Sequence, residues 1–98
     1  MAVHVGVARL TLYLAENASL KGKRMVVRSV AQRIRNRFNV AVAEVDTQDA
    51  WQVITLGIAC VSADKRHANE MLSKVIDFVE SERLDAEVGE VEVELIDI

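Results

Sequence analysis

Residues 40–61 read V-A-V-A-E-V-D-T-Q-D-A-W-Q-V-I-T-L-G-I-A-C-V. Residues 40–47 alternate in character, Gln48, Asp49 and Ala50 make a short polar turn, and residues 51–61 place Ile54, Leu56, Ile58 and Cys60 on one face. Side chains of a strand point to opposite faces in turn, so each run is a strand, and so short a link pairs the two antiparallel. On either side the period changes. Upstream, Leu20, Val27, Val30, Ala31, Ile34 and Phe38 recur at three-, four- and seven-residue steps, which predicts an amphipathic helix over residues 20–38. Ser19 suits its N-cap, and Asn39 suits an exit in left-handed conformation. Downstream, Ala68, Met71, Leu72, Val75, Ile76 and Val79 form the stripe of a second helix, capped by Ser62 or Asp64 and running to about Glu82.

The outer segments are strands again. Residues 3–14 are partly apolar on both alternating sets, as in a long central strand, whereas Val91, Val93 and Leu95 alternate with Glu90, Glu92 and Glu94, leaving one wet face. The order strand, helix, strand, strand, helix, strand predicts an α+β ferredoxin-like βαββαβ sandwich. Its antiparallel four-stranded sheet carries two helices on one face, with the first and third strands central. Ninety-eight residues, 51% apolar with four Gly and no Pro, fit a single domain spanning residues 1–98. With His4, Gly6, Ala8, Leu10 and Leu12 and Ile54, Leu56 and Ile58 turned to the helices, the open face carries Val3, Val5, Val7, Tyr13, Val53 and Thr55. Such a face is too apolar for plain solvent, and a homo-oligomer through the sheet is expected.

The lone Cys60 has no partner for an intramolecular disulfide, and no charged-then-apolar leader precedes the first strand, so a cytoplasmic location is expected. The apolar stretch 53–61 is broken by Thr55 and Gly57 and is far shorter than the ~20 residues of a membrane helix, so no membrane contact is expected. Charge is unevenly placed. Residues 1–43 hold eight Lys or Arg against Glu16 alone, and residues 76–98 hold nine acids against Arg83 alone.

Seven of the twelve basic residues lie between Lys21 and Arg37. On a helical wheel Lys21, Arg24, Arg28 and Arg35 line one flank within about 60°, with Lys23, Arg33 and Arg37 across the apolar stripe. Cations in a first turn oppose the helix macrodipole, which favours Asp or Glu there, so helix stability does not account for Lys21, Lys23 and Arg24. A phosphate would reverse the sign of that interaction. Lys21, Lys23, Arg24, Arg28 and Arg35 are therefore the candidate nucleic-acid-binding residues, against the plainer alternative of a solvated face paired with Glu87, Glu90 or Glu92. RNA ranks above DNA because the helix lacks the turn and second reading helix of a helix-turn-helix. The aromatics are too few for a base-stacking sheet: Tyr13 and Trp51 stand near strand ends, and Phe38 and Phe78 on helices.

Other clusters carry less. Glu44 and Asp46 fall on one side of their strand with Asp49 nearby, a conceivable Mg²⁺ site. A turn held by the Asp46 and Asp49 side chains, with Trp51 capping the sheet end and its N–H on a carboxylate, accounts for the cluster better. His4 and His67 lack partners at metal spacing, Cys60 lies inside an apolar strand, and no phosphate-cradling glycine loop is present. No metal, cofactor or enzymatic activity is expected.

Taken together, Ser19-Leu20-Lys21 with Lys23-Arg24, Arg35-Asn36-Arg37-Phe38-Asn39-Val40, Ala43-Glu44-Val45-Asp46 and Gln48-Asp49-Ala50-Trp51-Gln52 resemble the bacterial YlxP-like family. The resemblance implies a small ferredoxin-like domain of unknown function. Its genes often stand among those for transcription termination, translation initiation and ribosome maturation, which implies an RNA or ribosomal setting by association. It carries over no catalytic residue. Gly22 departs from the pattern, standing where a charged residue is expected. The expected function is RNA or ribonucleoprotein binding through the basic helix. The alternative is a protein-interaction or small-ligand regulatory module working through the open sheet face.

Overall fold

A computed structural model describes residues 2–82 and 86–98. Six elements follow in the expected order: β1 (His4–Tyr13), α1 (Leu20–Arg37), β2 (Ala41–Glu44), β3 (Val53–Ser62), α2 (Lys65–Ser81) and β4 (Glu87–Asp97). The strands form one antiparallel sheet in the order β2-β3-β1-β4, as a ferredoxin-like sandwich requires. α2 packs on β1, β3 and β4, and α1 lies over β2 beside it. No helix among the described residues is long and apolar enough to cross a membrane.

The core forms where the two periodicities meet. Even-numbered Ala8, Leu10 and Leu12 of β1 and Ile54, Leu56 and Ile58 of β3 are buried against Val30 and Ile34 of α1 and Leu72, Val75 and Val79 of α2. Each such aliphatic side chain contributes about 1.5–3 kcal/mol when fully withdrawn from water. Close helix–sheet contact depends on Gly6, since a Cβ there would lie 2.8 Å from Leu72 Cδ1. Ser19 caps α1, its Oγ accepting from Gly22 N at 3.0 Å, and Asp64 caps α2, accepting from Arg66 N at 2.9 Å. Ser62 instead braces the cap, accepting from Asp64 N.

The exit from α1 differs from expectation: Asn39 is not left-handed, because Phe38 is already extended, its N–H returning to Ile34 O as the chain passes straight toward β2. β2 is also shorter than residues 40–47. Asp46, at φ 59°, leaves the ladder in a turn closed by Thr47 N to Val45 O, so the β2–β3 connection occupies residues 45–52 instead of three.

β4 contains an irregularity that alternation alone hides. Leu10 pairs with Val91 and Leu12 with Val88, so β4 has one more residue than β1 between these pairs, a β-bulge. The extra residue turns both Val88 and Val91 to the helix side and sends Glu92 and Glu94 to the open face. Tyr13 lies over Gly89 in the bulge and donates to Glu90 Oε2 at 2.7 Å, which raises the Tyr13 hydroxyl pKa and lowers that of the Glu90 carboxyl. The open face is accordingly less apolar than expected. Arg9 stands at its centre, 3.8 Å from Asp46 and 3.7 Å from Glu92, and Thr55 is buried beneath Thr47, whose Oγ1 donates to Thr55 Oγ1.

At the far end of the sheet, Val3 and Ile98 exchange two main-chain hydrogen bonds, and His4 Nδ1 lies 2.6 Å from Asp97 Oδ1. The His4 hydrogen bond, with the Lys65 ammonium 3.5 Å away, holds the Asp97 carboxyl below its ordinary pKa. A depressed carboxyl pKa stabilises the fold above the ordinary carboxylate range, and that contribution is lost as pH falls through the folded value. Asp97→Asn is therefore expected to lower the urea midpoint near neutral pH and to match the parent protein well below about pH 4. Equal differences at both pH values would contradict this account.

Candidate functional site

While residues 35–40 lie at the other end of α1, most of the family-like segments, residues 19–24, 43–46 and 48–52, converge at one corner, where the N-terminus of α1 meets the β1–α1 and β2–β3 loops. At its centre is Lys23, whose side chain is 0% exposed. Its Nζ donates to Thr47 O at 2.6 Å, Gln48 O at 3.0 Å and, more weakly, Val53 O at 3.4 Å, and lies 2.8 Å from Glu44 Oε2. The Lys23–Glu44 contact is an ion pair, although Oε2 meets hydrogen-bond geometry with no donor among the described residues.

Lys23 is one of the five expected nucleic-acid-binding residues, and its burial removes it from that set. Its charge is held by Glu44 and the loop carbonyls instead. The clue lies in the spacing: Lys23, Val27, Val30 and Ile34 follow steps of four, three and four, so Lys23 occupies the apolar stripe, with a carboxylate on the neighbouring strand to meet it. Gly22 has a local reason too, because a Cβ there would run into the Asn17 amide. Asn17 is not free to yield, since its Nδ2 donates to both Ser19 O and Trp51 O. Gln52 Nε2 completes the brace by donating to Ala15 O and Asn17 O.

The remaining predicted residues lie outside this buried knot. Lys21, Arg24 and Arg28 are exposed on one flank of α1, and none makes an ion pair or side-chain hydrogen bond with a described residue. Arg35 is exposed as well but donates through Nη2 to Val42 O at 2.7 Å, so part of its fork is committed to the edge of β2. Across the stripe Arg33 lies 3.9 Å from Glu82 and Arg37 stacks over Phe78. The carboxylates considered as partners for the basic helix lie elsewhere: Glu90 takes Tyr13 and Glu92 takes Arg9, on the strand at the opposite edge from α1.

Two further expectations change. Glu44 and Asp46 do not share a side: Glu44 turns to Lys23 while Asp46, after its positive-φ turn, faces Arg9, and no group of three metal-ligating side chains forms among the described residues. Trp51 does not bury its indole over the sheet end or bond a carboxylate. It is 56% exposed, and its N–H has no partner among the described residues, because Asn17 holds its main chain at the rim. Cys60 is buried, its thiol 3.6 Å from Ala68 O, as its place in β3 implied.

A family model described as "Protein of unknown function (DUF503)" matches residues 5–93. The chain belongs to this family. A curated relative, "Uncharacterized protein YlxP" of Bacillus subtilis (strain 168), is 35% identical over 77 residues, covering 79% of this chain and 84% of the relative. Among solved structures, a de novo designed protein, Foldit4, superposes with a TM-score of 0.53 at 15% identity, covering 93% of this chain and 96% of the design, a likeness of fold alone. The YlxP-like resemblance of the sequence is thus established, and the DUF503 assignment leaves the activity of the family open.

Lys23→Met is expected to destabilise the fold by about 3–5 kcal/mol, the usual cost of leaving a buried charge unpaired, and Lys23→Met with Glu44→Leu should recover only the part due to the carboxylate, because Thr47 O, Gln48 O and Val53 O still lack the ammonium donor. Equilibrium urea unfolding measures both. Gly22→Ala, which helix propensity alone would make stabilising by about 1 kcal/mol, should destabilise because Asn17 must move. An unchanged or higher midpoint would contradict the brace.

Proposed function

We propose that the chain is a binding module that holds RNA along the exposed flank of α1. The observation that carries this reading is the charge placement on that helix: Lys21, Arg24 and Arg28 are exposed and unpaired among the described residues, and α1 contains no acidic residue. Glu87, Glu90, Glu92 and Glu94 of β4 are set at the other edge of the sheet, so the field of the helix is not cancelled locally. Met25, 63% exposed, lies between Lys21 and Arg28 on the same flank and adds an apolar spot among the cations. Arg35 extends the row while keeping its bond to β2.

Several features favour RNA over duplex DNA. α1 lies flat on the sheet with its length against β2 and α2, so it cannot project into a major groove as a recognition helix does. A row of cations on a fixed helix recognises backbone and shape, the common mode for structured RNA. The gene setting implied by the YlxP-like resemblance agrees with this. The open sheet face supports it less, since Glu92 and Glu94 at its border repel phosphate.

Binding to total cellular RNA and to ribosomal subunits tests the proposal. Three phosphate contacts predict that log K falls with log salt at a slope of about −2, and a Lys21→Ala, Arg24→Ala, Arg28→Ala variant should lose both the affinity and the slope. All three side chains are exposed, so circular dichroism should be unchanged. Equal binding by parent and variant, or no binding at low salt, overturns the reading.

A further inference from the structure

We infer that Trp51 stacks against an unpaired base, so that the RNA held by α1 is single-stranded where it passes this corner. The inference rests on the RNA reading above and adds the state of the strand and a residue that contacts it. Trp51 is the single Trp of the chain, and a large aromatic ring ordinarily withdraws from water. Here more than half of it stays exposed, although Ile54, Leu56 and the sheet end are close in sequence. No other aromatic ring packs on it among the described residues, whose one aromatic pair joins Phe38 to Phe78.

Exposure alone would describe a loose loop tip, but the backbone of this loop is held from three directions. Asn17 bonds Trp51 O, Gln52 bonds Ala15 O and Asn17 O, and the enclosed Lys23 ammonium gathers Thr47 O, Gln48 O and Val53 O. A ring displayed on a braced backbone loses little conformational entropy on stacking, which is the physical requirement for a contact whose gain is modest. The chemistry of the occupant follows from what adjoins the ring. The same Asn17 amide that holds Trp51 O also bonds Ser19 O, the cap of α1, two residues before the exposed Lys21. A π-face and a row of cations therefore begin at one corner, the pairing by which single-stranded nucleic acid is held without sequence-specific hydrogen bonds. A duplex keeps its bases stacked on each other and offers Trp51 no free face.

A short labelled single-stranded oligoribonucleotide of mixed sequence, and the same sequence as a duplex, serve as probes. Anisotropy reports binding, and tryptophan emission reports Trp51 alone. Trp51→Leu and Trp51→Phe are compared with the parent and with the Lys21, Arg24, Arg28 triple-alanine variant. The expected result is quenching by the single strand but not by the duplex, affinity lowered roughly five- to a hundredfold by Trp51→Leu, and most of it retained by Trp51→Phe. Among the described residues Trp51 makes only main-chain hydrogen bonds, so both variants should keep the parent circular dichroism. Single-strand binding that leaves Trp51 emission unchanged and is unaffected by Trp51→Leu overturns this inference while leaving the α1 reading intact. Absence of RNA binding by the parent protein overturns both.

Discussion

The enclosure of one ammonium group organises the end of the molecule on which the candidate site is built. Lys23 reaches from the first turns of α1 under the loop between β2 and β3 and finds three main-chain carbonyls and the Glu44 carboxylate there. A loop whose carbonyls are withdrawn from water needs donors, and an eight-residue connection between antiparallel strands has few of its own. The lysine supplies them. Asn17, Gln52 and the close approach at Gly22 then fasten the neighbouring loop, so the exposed side chains at this corner stand on a fixed base.

That base separates two kinds of lysine and arginine that look alike in composition. One is structural: its charge is neutralised inside the fold and cannot act at a distance. The others, Lys21, Arg24 and Arg28, project outward on a helix without an acidic residue. The separation extends across the sheet. The bulge in β4 sets Val88 and Val91 on the helix side, where Val88 packs on the core, and the glutamates on the open face, where Arg9 links Glu92 and Asp46. Cations therefore crowd one edge of the sandwich and carboxylates the other, a partition that an overall charge of −3 conceals.

The stretches that resemble the family are accordingly of two sorts. Ser19, Lys23, Glu44 and Gln52 are used internally, as cap, buried ion pair and brace. Lys21, Arg24 and Trp51 sit among them in sequence but face solvent. Neighbouring residues of one motif thus serve the fold and the surface alternately, which is what a helix start and a tight loop impose when consecutive side chains point in different directions.

The sequence by itself determined the element order, the antiparallel pairing of β2 with β3, and which residues of β1, β3 and the two helices form the core. All of these follow from local periodicity, and periodicity is a property of consecutive residues. The even residues of β1 and β3 turn inward as their alternation requires. Tertiary structure alone decided what depends on partners distant in sequence. The burial of Lys23 needs Glu44 and a loop more than twenty residues away, although its place in the 23-27-30-34 stripe gave a local clue. The positive-φ turn at Asp46 and the extra residue of β4 each shift which face a side chain takes, and a shift of one residue reverses every face that follows. The exposure of Trp51 was likewise illegible, because an aromatic at a strand end caps the sheet unless something holds its backbone at the rim. Asn17, thirty-four residues earlier in the chain, does so.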